Sequence, residues 1–301
     1  MSLNKPTRAG FVAVIGAPNA GKSTLVNALV GQKVAIVSAK KQTTRARLMG
    51  IAIHGASQIL LVDTPGIFEP KRRLDRAMVA AAWSGAGDAE LILLVIDAST
   101  GIKGGLGSIL DGLQAREHPL MVALNKVDLV RKEALLGLAT EVTERVTPDA
   151  LFMISAANGD GVGDIKSALA KAVPEGPWLY PEDQVSDATD RMIAAELTRE
   201  QLYEQLRQEL PYSSAVETEK WEDRPDGSAV IHQQILVERD SQKGIVVGKG
   251  GARLKLIGQK AREEISAHLG RKVHLYLHVK VNPRWDEDRA LYREIGLEWA
   301  E

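Results

Sequence analysis

The sequence contains no cysteine, few aromatic residues and almost no net charge. The absence of cysteine from its 301 residues excludes disulfides, thiolate metal sites and a cysteine nucleophile, and it suits a reducing compartment. A net charge of −1 provides no global attraction to nucleic acid or membranes. No apolar run approaches the ~20 residues of a transmembrane helix, and residues 1–10 lack the apolar core of a signal peptide. These absences favour a cytosolic protein.

The length and the apolar content predict about two domains with ordinary cores. The chain has 301 residues, of which 45% are hydrophobic. Its first half alternates apolar strand segments with helical spacing, which is typical of a doubly wound α/β sheet. In such a sheet, ligands bind beyond the carboxyl ends of the strands. The predicted strands are Phe11–Ile15, Leu48–Ile53, Ile59–Val62, Leu91–Ile96, Leu120–Leu124 and Leu151–Ile154.

A phosphate-binding pattern, G-x-x-x-x-G-K-[ST], stands directly after the first predicted strand. In this pattern, backbone N–H groups at the start of a helix bind phosphate oxygens. Lys22 is expected to reach the β- and γ-phosphates, and the Ser23 hydroxyl to bind Mg²⁺. A glycine-rich turn with an incidental lysine is disfavoured by the strand before it and the helical spacing after it. The segment reads Gly16-Ala17-Pro18-Asn19-Ala20-Gly21-Lys22-Ser23-Thr24.

A D-x-x-G segment follows the strand Ile59–Val62. Asp63 could hold Mg²⁺ through water, and the Gly66 N–H could sense the γ-phosphate. A plain turn is the alternative, and the segment indicates a nucleotide site only because it follows a phosphate loop in the chain. The segment reads Asp63-Thr64-Pro65-Gly66, with Ile67 after it.

Two later strand ends together predict a guanine pocket. A carboxylate at Asp128 can accept from guanine N1–H and the 2-amino group, which adenine does not offer. Asn125 would support the loop and approach N7, and the Ala156 N–H would face O6. The alternative for Asp128 is to cap the helix that follows. The two segments are Asn125-Lys126-Val127-Asp128 and Ser155-Ala156-Ala157.

These four segments, in this order and spacing, resemble the nucleotide-binding boxes of translation-factor-type GTPases. The resemblance implies a six-stranded mixed sheet with one antiparallel edge strand. It also implies catalytic roles for Lys22, Gly66 and a switch I threonine that binds Mg²⁺. Thr43 and Thr44 both qualify for this role, and Thr44 is favoured. Switch I would comprise Gln42, Thr43, Thr44, Arg45 and Ala46.

One departure from the Ras pattern predicts slow intrinsic hydrolysis. Ras-type enzymes carry a water-orienting glutamine directly after the glycine of D-x-x-G, where this chain has Ile67. An aliphatic side chain cannot orient water, so we expect a partner or an ion to accelerate turnover. The resemblance makes Asn19 a candidate for seating a potassium ion near the phosphates.

A proline-rich join separates a second domain whose charge changes sign along the chain. Residues 181–227 carry 13 Asp or Glu against 5 Lys or Arg, whereas residues 239–280 carry 10 Lys or Arg against 3 Asp or Glu. A G-x-x-G segment, Gly248–Gly251, lies in the basic stretch between an apolar Ile-Val-Val run and a basic helical pattern. The predicted order of elements is helix, strand, strand, helix, G-x-x-G, helix, strand.

This order resembles a type II KH domain, whose G-x-x-G loop clamps the backbone of about four unpaired nucleotides. A solvated charged helix after a glycine turn is the alternative. Ile245, Val246, Val247 and Ile257 are expected to form apolar walls under the bases, and Arg262 to border the groove. The candidate RNA-binding residues are Val247, Gly248, Lys249, Gly250, Gly251, Arg253, Lys255 and Lys260.

The whole arrangement resembles the Era family of bacterial GTPases. The fold expected is α/β: a P-loop GTPase with a doubly wound, mostly parallel sheet, followed by a smaller α+β type II KH domain. The expected boundaries are a G domain at 1–175, a linker at 176–190, the KH domain at 191–282 and an acidic tail at 283–301.

The resemblance implies a GTP- and Mg²⁺-dependent switch that binds 16S ribosomal RNA near its 3′ end and acts in small-subunit assembly. It implies a monomer that is cytoplasmic, binds the 30S subunit and associates in part with the inner membrane as a peripheral protein. Three alternatives stay open: a metabolic P-loop kinase or ATPase, an RNA-binding scaffold with a structural nucleotide site, and a tRNA-modifying or large-subunit GTPase.

Overall fold

The protein divides into two compact units, and the computed structural model describes residues 6–38, 40, 44, 45, 48–103 and 105–300. The first unit comprises Met1–Ala35, Thr44–Asp187 and Ala300–Glu301, and the second comprises Ile36–Thr43 and Ala188–Trp299. The short segment Ile36–Thr43 therefore belongs to the second unit, although it directly follows elements of the first.

A six-stranded sheet forms the centre of the first unit. The strand order is β2-β3-β1-β4-β5-β6, and the pairing is parallel except between β2 and β3. This confirms the mixed sheet with one antiparallel edge strand. The strands are β1 (Arg8–Ile15), β2 (Leu48–His54), β3 (Ser57–Asp63), β4 (Leu91–Asp97), β5 (Leu120–Asn125) and β6 (Ala150–Met153).

Helices cover both faces of this sheet because alternate strand residues point to opposite sides. Val12 and Val14 share a buried cluster with α1 and α5, whereas Ala13 and Ile15 share another with α2, α3 and α4. The five helices are α1 (Lys22–Val30), α2 (Arg73–Asp88), α3 (Leu106–Leu113), α4 (Lys132–Val146) and α5 (Val162–Ala172). The predicted doubly wound architecture is confirmed.

The chain after α5 lies along the β2 edge of the same unit. The Ile51 N–H donates to the Val185 carbonyl at 2.8 Å, and the Ser186 hydroxyl donates to the Met49 carbonyl at 2.8 Å. The buried Gln58 side chain accepts from the Tyr180 N–H at 3.0 Å. These contacts satisfy backbone groups that an edge strand would otherwise expose, so residues 176–187 are docked on the first unit.

A three-stranded sheet backed by helices forms the second unit. β8 lies between β7, to which it is antiparallel, and β9, to which it is parallel. The order of elements is the helix, strand, strand, helix, helix, strand series expected of a type II KH domain. The elements are α6 (Asp190–Gln205), β7 (Ser214–Asp223), β8 (Ala229–Val237), α7 (Asp240–Val247), α8 (Ala252–Leu269), β9 (Val273–Val281) and α9 (Arg289–Glu294).

The first helix of this unit is shorter than its apolar spacing predicts. The spacing extends to Leu210, but α6 ends at Gln205 because Leu206 adopts an extended conformation. This turn of the chain brings Leu206 and Leu210 into the same buried cluster as Leu202. The helix therefore ends before Pro211, and the two leucines beyond it are still buried.

None of the helices in the described ranges is both long enough and apolar enough to span a bilayer.

Candidate functional site

The predicted phosphate loop joins β1 to α1 and is held tightly by its neighbours. Gly21 has φ +94°, in the left-handed region, and a Cβ there would lie 2.2 Å from Asn125 Nδ2. At Gly16, a Cβ would lie 2.3 Å from the Val95 carbonyl oxygen. Only glycine fits these two positions, so the loop backbone can approach a phosphate closely.

Lys22 is buried at the start of α1, and its ammonium group points back into the loop. It donates to the carbonyl oxygens of Gly16 at 3.2 Å and Ala17 at 3.0 Å. Burial lowers the pKa of Lys22 to about 8, although the charge of Asp63 opposes this shift. A buried ammonium that donates to carbonyl oxygens favours an anionic ligand at the loop.

Three oxygen-bearing side chains from three separate segments converge beside the loop. The Ser23 hydroxyl lies 2.7 Å from Asp63 Oδ2 and 2.9 Å from Thr44 Oγ1, and Thr44 Oγ1 lies 3.3 Å from Asp63 Oδ2. Burial raises the pKa of Asp63 to about 6, against the charge of Lys22 and hydrogen bonds from Ser23 and Thr44. Within the described ranges, the buried Asp63 Oδ1 has no hydrogen-bond partner.

This donor set fits the predicted Mg²⁺ site. Hydroxyl and carboxylate oxygens are the ligands that Mg²⁺ prefers. A buried carboxylate oxygen without a partner is costly unless a cation completes it. Ser23, Thr44 and Asp63 are therefore the residues that would hold the ion.

The segment after Asp63 packs directly on the phosphate loop. The buried Thr64 hydroxyl donates to the Val14 carbonyl at 2.8 Å, and the Ile67 N–H donates to the Gly16 carbonyl at 3.0 Å. A Cβ at Gly66 would lie 2.8 Å from the Pro18 nitrogen. The Ile67 side chain is buried in the core cluster that includes Ile15. It faces away from solvent, so it cannot orient an attacking water.

Asn125 connects the phosphate loop to the last predicted segment of the pocket. Its buried amide donates to the Ala20 carbonyl at 2.9 Å and accepts from the Ala156 N–H at 2.9 Å. The expectation that Asn125 supports the loop agrees with these contacts. The expectation that the Ala156 N–H faces guanine O6 does not, because the buried Asn125 oxygen already uses this donor.

Asp128 lies exposed in a 3₁₀ turn beyond β5. It does not cap the next helix, because α4 begins at Lys132 and its N-cap residue is Arg131. The helix-cap alternative is therefore wrong, and the carboxylate is available to a ligand. The neighbouring Lys126 is fixed by an ion pair of 2.6 Å with Asp97. Partial burial alone would raise the pKa of Asp97, but hydrogen bonds from Lys126 and Ser99 lower it.

Replacement of Asn125 by Ala is expected to destabilise the first unit. It would leave the buried Ala20 carbonyl and Ala156 N–H without their partner, at about 1–3 kcal/mol for each group. Urea unfolding would measure the loss, and guanine-nucleotide binding should weaken with it. Asn158→Ala is the matched control, because Asn158 is exposed and the hydrogen bond that it accepts from the Asp160 N–H is open to water, so the free energy of unfolding should change by about 0.5 kcal/mol. Equal unfolding of both variants would contradict this role for Asn125.

Only part of the predicted switch I lies in the described ranges. Thr44 and Arg45 are buried, and Thr44 is one of the three residues described above that would hold the ion. Gln42, Thr43 and Ala46 lie outside the described residues.

The second candidate site is centred on the G-x-x-G turn between α7 and α8. Gly248 has φ +72°, and a Cβ there would lie 2.8 Å from Arg253 Cβ and 3.1 Å from its backbone nitrogen. The Arg253 guanidinium donates to the Ile245 carbonyl at 2.7 Å and so ties the turn to α7. Lys249 and Gly250 remain exposed at its tip, where they can contact a phosphate backbone.

A groove of about 440 Å³ runs from this turn between α8 and β9. One face of α8 lines it, since the helical residues recur at intervals of three and four. Lys255 and Arg262 supply positive charge, and leucines supply an apolar wall. The lining residues are Gly251, Leu254, Lys255, Gly258, Gln259, Arg262, Leu275, Tyr276 and Leu277.

Several residues predicted for this groove lie elsewhere. Lys260 is outside the lining and forms an ion pair of 3.7 Å with Glu263. Val246 and Ile257 are fully buried in the core and cannot contact bases. Tyr276, which sequence reasoning missed, is 52% exposed at the groove and stacks on His232 with ring centroids 4.9 Å apart. Arg262, which the sequence placed at the border of the groove, does line it, and the helical spacing after Gly251 would also have identified Gly258, but no local signal marked Tyr276.

Two family models match the chain. A model described as 50S ribosome-binding GTPase matches residues 11–126, and a KH domain model matches residues 209–286. The second match covers the G-x-x-G turn and the groove.

Relatives and solved structures match almost the whole length. GTPase Era of Afipia carboxidovorans is 58% identical over 294 residues, covering 98% of this chain and 96% of the relative. GTPase Era of Rhizobium meliloti is 59% identical over 294 residues, covering 98% and 94%. A crystal structure of Era in complex with MgGDPNP and nucleotides 1506–1542 of 16S ribosomal RNA has a TM-score of 0.91 and 37% identity, and covers 96% of this chain and 99% of that one. A structure of Aquifex aeolicus Era bound to GDP and aluminium fluoride has the same score, identity and coverage.

Proposed function

The chain belongs to the Era family of GTPases, and on this premise we propose that it is a switch that binds 16S ribosomal RNA near its 3′ end and acts in assembly of the small subunit. The observation that supports the proposal is the presence, in one chain, of two glycine-bounded turns with lysine side chains suited to phosphate groups. The first is the loop with Lys22 and the cluster of Ser23, Thr44 and Asp63. The second is the G-x-x-G turn with its groove.

The first site binds GTP in this proposal. The loop N–H groups and Lys22 hold the phosphates, Asp128 reads the guanine edge, and Asn125 keeps the pocket in shape. Mg²⁺, when bound, neutralises charge that develops on the phosphates. Thr44 and Gly66 both lie where a γ-phosphate could change their position, so they are the proposed sensors of the nucleotide state.

Hydrolysis is slow without a further component in this proposal. The residue after Gly66 is a buried isoleucine, so no side chain there positions the attacking water. We expect an ion or the ribosomal partner to supply the missing stabilisation.

Potassium is the proposed ion, with Asn19 as the residue that seats it. Asn19 lies in the phosphate loop with φ +65°. We expect GTP turnover to be at least about tenfold faster in KCl than in NaCl, which corresponds to ~1.4 kcal/mol of transition-state stabilisation. Asn19→Ala should remove the difference, whereas Asn158→Ala should keep it. Equal turnover of the unaltered protein in the two salts would reject potassium as the ion.

The second site takes single-stranded RNA in this proposal. Lys249 and Gly250 approach the sugar-phosphate backbone, Lys255 and Arg262 add charge along the groove, and Leu254 and Leu275 contact bases.

The proposed domains remain 1–175, 176–190, 191–282 and 283–301. The protein is proposed to be a cytoplasmic monomer with some peripheral association with the inner membrane.

Crosslinking to cellular RNA tests the proposal. The protein is loaded with a non-hydrolysable GTP analogue, irradiated in a cell extract, and the crosslinked peptides and RNA are sequenced. We expect small-subunit ribosomal RNA joined to residues 244–262. Crosslinks to transfer RNA or large-subunit RNA would support a tRNA-modifying or large-subunit GTPase. GTP that is never hydrolysed, even with ribosomal subunits, would support an RNA-binding scaffold with a structural nucleotide site.

A further inference from the structure

Residues 36, 37 and 40, which precede Thr44, lie along helix α6 of the second unit. Ile36 is buried in the same cluster as Ile193 and Leu197, in the first half of that helix. The Val37 N–H donates to Oε1 of the buried Glu200 at 2.9 Å, one turn further on. These contacts follow α6 from its first half towards its end.

Lys40 makes a third contact with α6, at the carboxyl end of the helix. Its ammonium donates to the carbonyl oxygens of Tyr203 and Leu206. The last carbonyls of a helix have no intrahelical partner, and they carry the negative end of the helix dipole, so a cation there is favourable. Burial and the charge of Arg207 lower the pKa of Lys40, while Glu204 opposes this shift. We refer to Ile36, Val37 and Lys40 together as the α6 clamp.

Helix α6 is firmly connected to the elements that form the groove. The Thr198 hydroxyl donates to Gln233 on β8 at 2.6 Å, and the Gln201 amide donates to Glu264 on α8 at 2.8 Å. Leu202 packs in the same buried cluster as Ile257 of α8. A displacement of α6 would therefore also displace α8, and one face of α8 lines the groove.

The clamp is also connected through the backbone to Thr44, one of the three residues that would hold the ion. Lys40 precedes Thr44 by four residues, which span at most about 14 Å when fully extended. Thr44 Oγ1 lies 2.9 Å from the Ser23 hydroxyl. The backbone therefore connects Thr44 to Lys40 through three residues, and this short connection limits how far Thr44 can move without a change at the clamp.

We propose that the α6 clamp transmits the nucleotide state from Thr44 to the RNA groove, with Lys40 as the positioning residue at the end of α6. This inference rests on the proposed function, because it requires that RNA affinity depends on the bound nucleotide. Lys40 itself contacts neither GTP nor RNA in this account. Its loss leaves both sites intact but independent of each other.

The test compares RNA affinity in two nucleotide states for the full-length protein and its Lys40→Ala variant. The probe is an oligonucleotide with the 3′-terminal sequence of 16S ribosomal RNA, and binding is measured by fluorescence anisotropy with a GTP analogue or with GDP. We expect the unaltered protein to show a ratio of affinities of about 5- to 150-fold, the usual range for coupled sites. For Lys40→Ala this ratio should fall to within about twofold of unity, with unchanged affinity for the GTP analogue.

Four further variants separate coupling from simpler effects. Lys40→Arg keeps a cation at the end of α6 and should retain most of the ratio. Glu200→Ala removes the acceptor of the Val37 N–H and should lower the ratio, whereas Glu200→Gln keeps that acceptor and should not. Lys132→Ala, at the start of helix α4 in the first unit, is a charge control and should behave like the unaltered protein.

Each contrary outcome has a distinct meaning. A normal ratio in Lys40→Ala would overturn the clamp while leaving the proposed function in place. An equal loss of RNA affinity in both nucleotide states would overturn it too, since it would make Lys40 a direct RNA contact. The absence of any nucleotide dependence in the unaltered protein would overturn both the coupling in the proposed function and the clamp.

Discussion

Replacement of Asp128 by Asn is expected to change the preferred nucleotide from GTP to xanthosine triphosphate. In the proposed pocket, the Asp128 carboxylate accepts from guanine N1–H and the 2-amino group, whereas an amide there would place a donor against these donors. Sites built around such pairs discriminate by about 10⁴-fold or more, so GTP affinity should fall by about this factor. Xanthine carries a carbonyl in place of the 2-amino group, and it should pair with the new amide. Competition against a fluorescent GDP would measure both changes.

The structure makes this experiment unusually clean. Asp128 is exposed and does not cap α4, so its replacement should leave the free energy of unfolding nearly unchanged. Asp164→Asn, in the first turn of α5, is the matched control and should keep the preference for GTP. If Asp128→Asn still preferred GTP over xanthosine triphosphate, the guanine pocket would have to lie elsewhere, and the kinase or ATPase alternative would return.

Conversion of Lys249 and Gly250 to Asp is expected to abolish RNA binding with the fold intact. The double change shifts the charge at the turn by three units towards negative. Each unit charge costs about 1 kcal/mol against a phosphate at 4 Å in water, so affinity should fall by about 100-fold or more. Aspartate tolerates the left-handed conformation of Gly250, φ +59°, and a Cβ there meets no atom within 4 Å.

The chain offers a closely matched control for this double change. Gly270 also has a left-handed conformation, φ +62°, and open space around a Cβ, and Lys272 is exposed beside it. Gly270→Asp with Lys272→Asp makes the same change in charge at the other end of α8. It should reduce RNA affinity only slightly, and more weakly as salt is added. Equal losses from both pairs would mean that net charge, and not the G-x-x-G turn, drives RNA binding.

The sheet and the boxes of the first unit could be predicted because each depends on local sequence. A buried strand followed by Gly-x-x-x-x-Gly-Lys-Ser can adopt few conformations that suit both the glycines and a lysine at the start of a helix. The alternation of apolar strands and helices predicted a doubly wound sheet, whereas the strand order β2-β3-β1-β4-β5-β6 is seen only in the tertiary structure. The KH order of elements was predicted in the same way, from spacing and from the reversal of charge.

The groove residues were harder to predict, because the local sequence pattern does not indicate which face of α8 packs against β9. Lys260 has the charge that RNA binding needs, yet its position on the helix directs it to Glu263. Tyr276 carries no motif, and only the pairing of β8 with β9 places it opposite His232 and beside the groove. The use of the Ala156 N–H by Asn125 likewise depends on two strands that are distant in sequence.

By itself, the amino-acid sequence determined the fold class, the phosphate loop, the guanine-reading segment and the G-x-x-G turn. Each of these is dictated by backbone conformations and hydrogen-bonding groups within a few consecutive residues. The sequence and the resemblance assigned Ser23, Thr44 and Asp63 to one ion, but only the tertiary structure gave their mutual distances and packed Ile36, Val37 and Lys40 on α6. Those placements depend on burial of side chains far apart in the chain, and no local pattern records them.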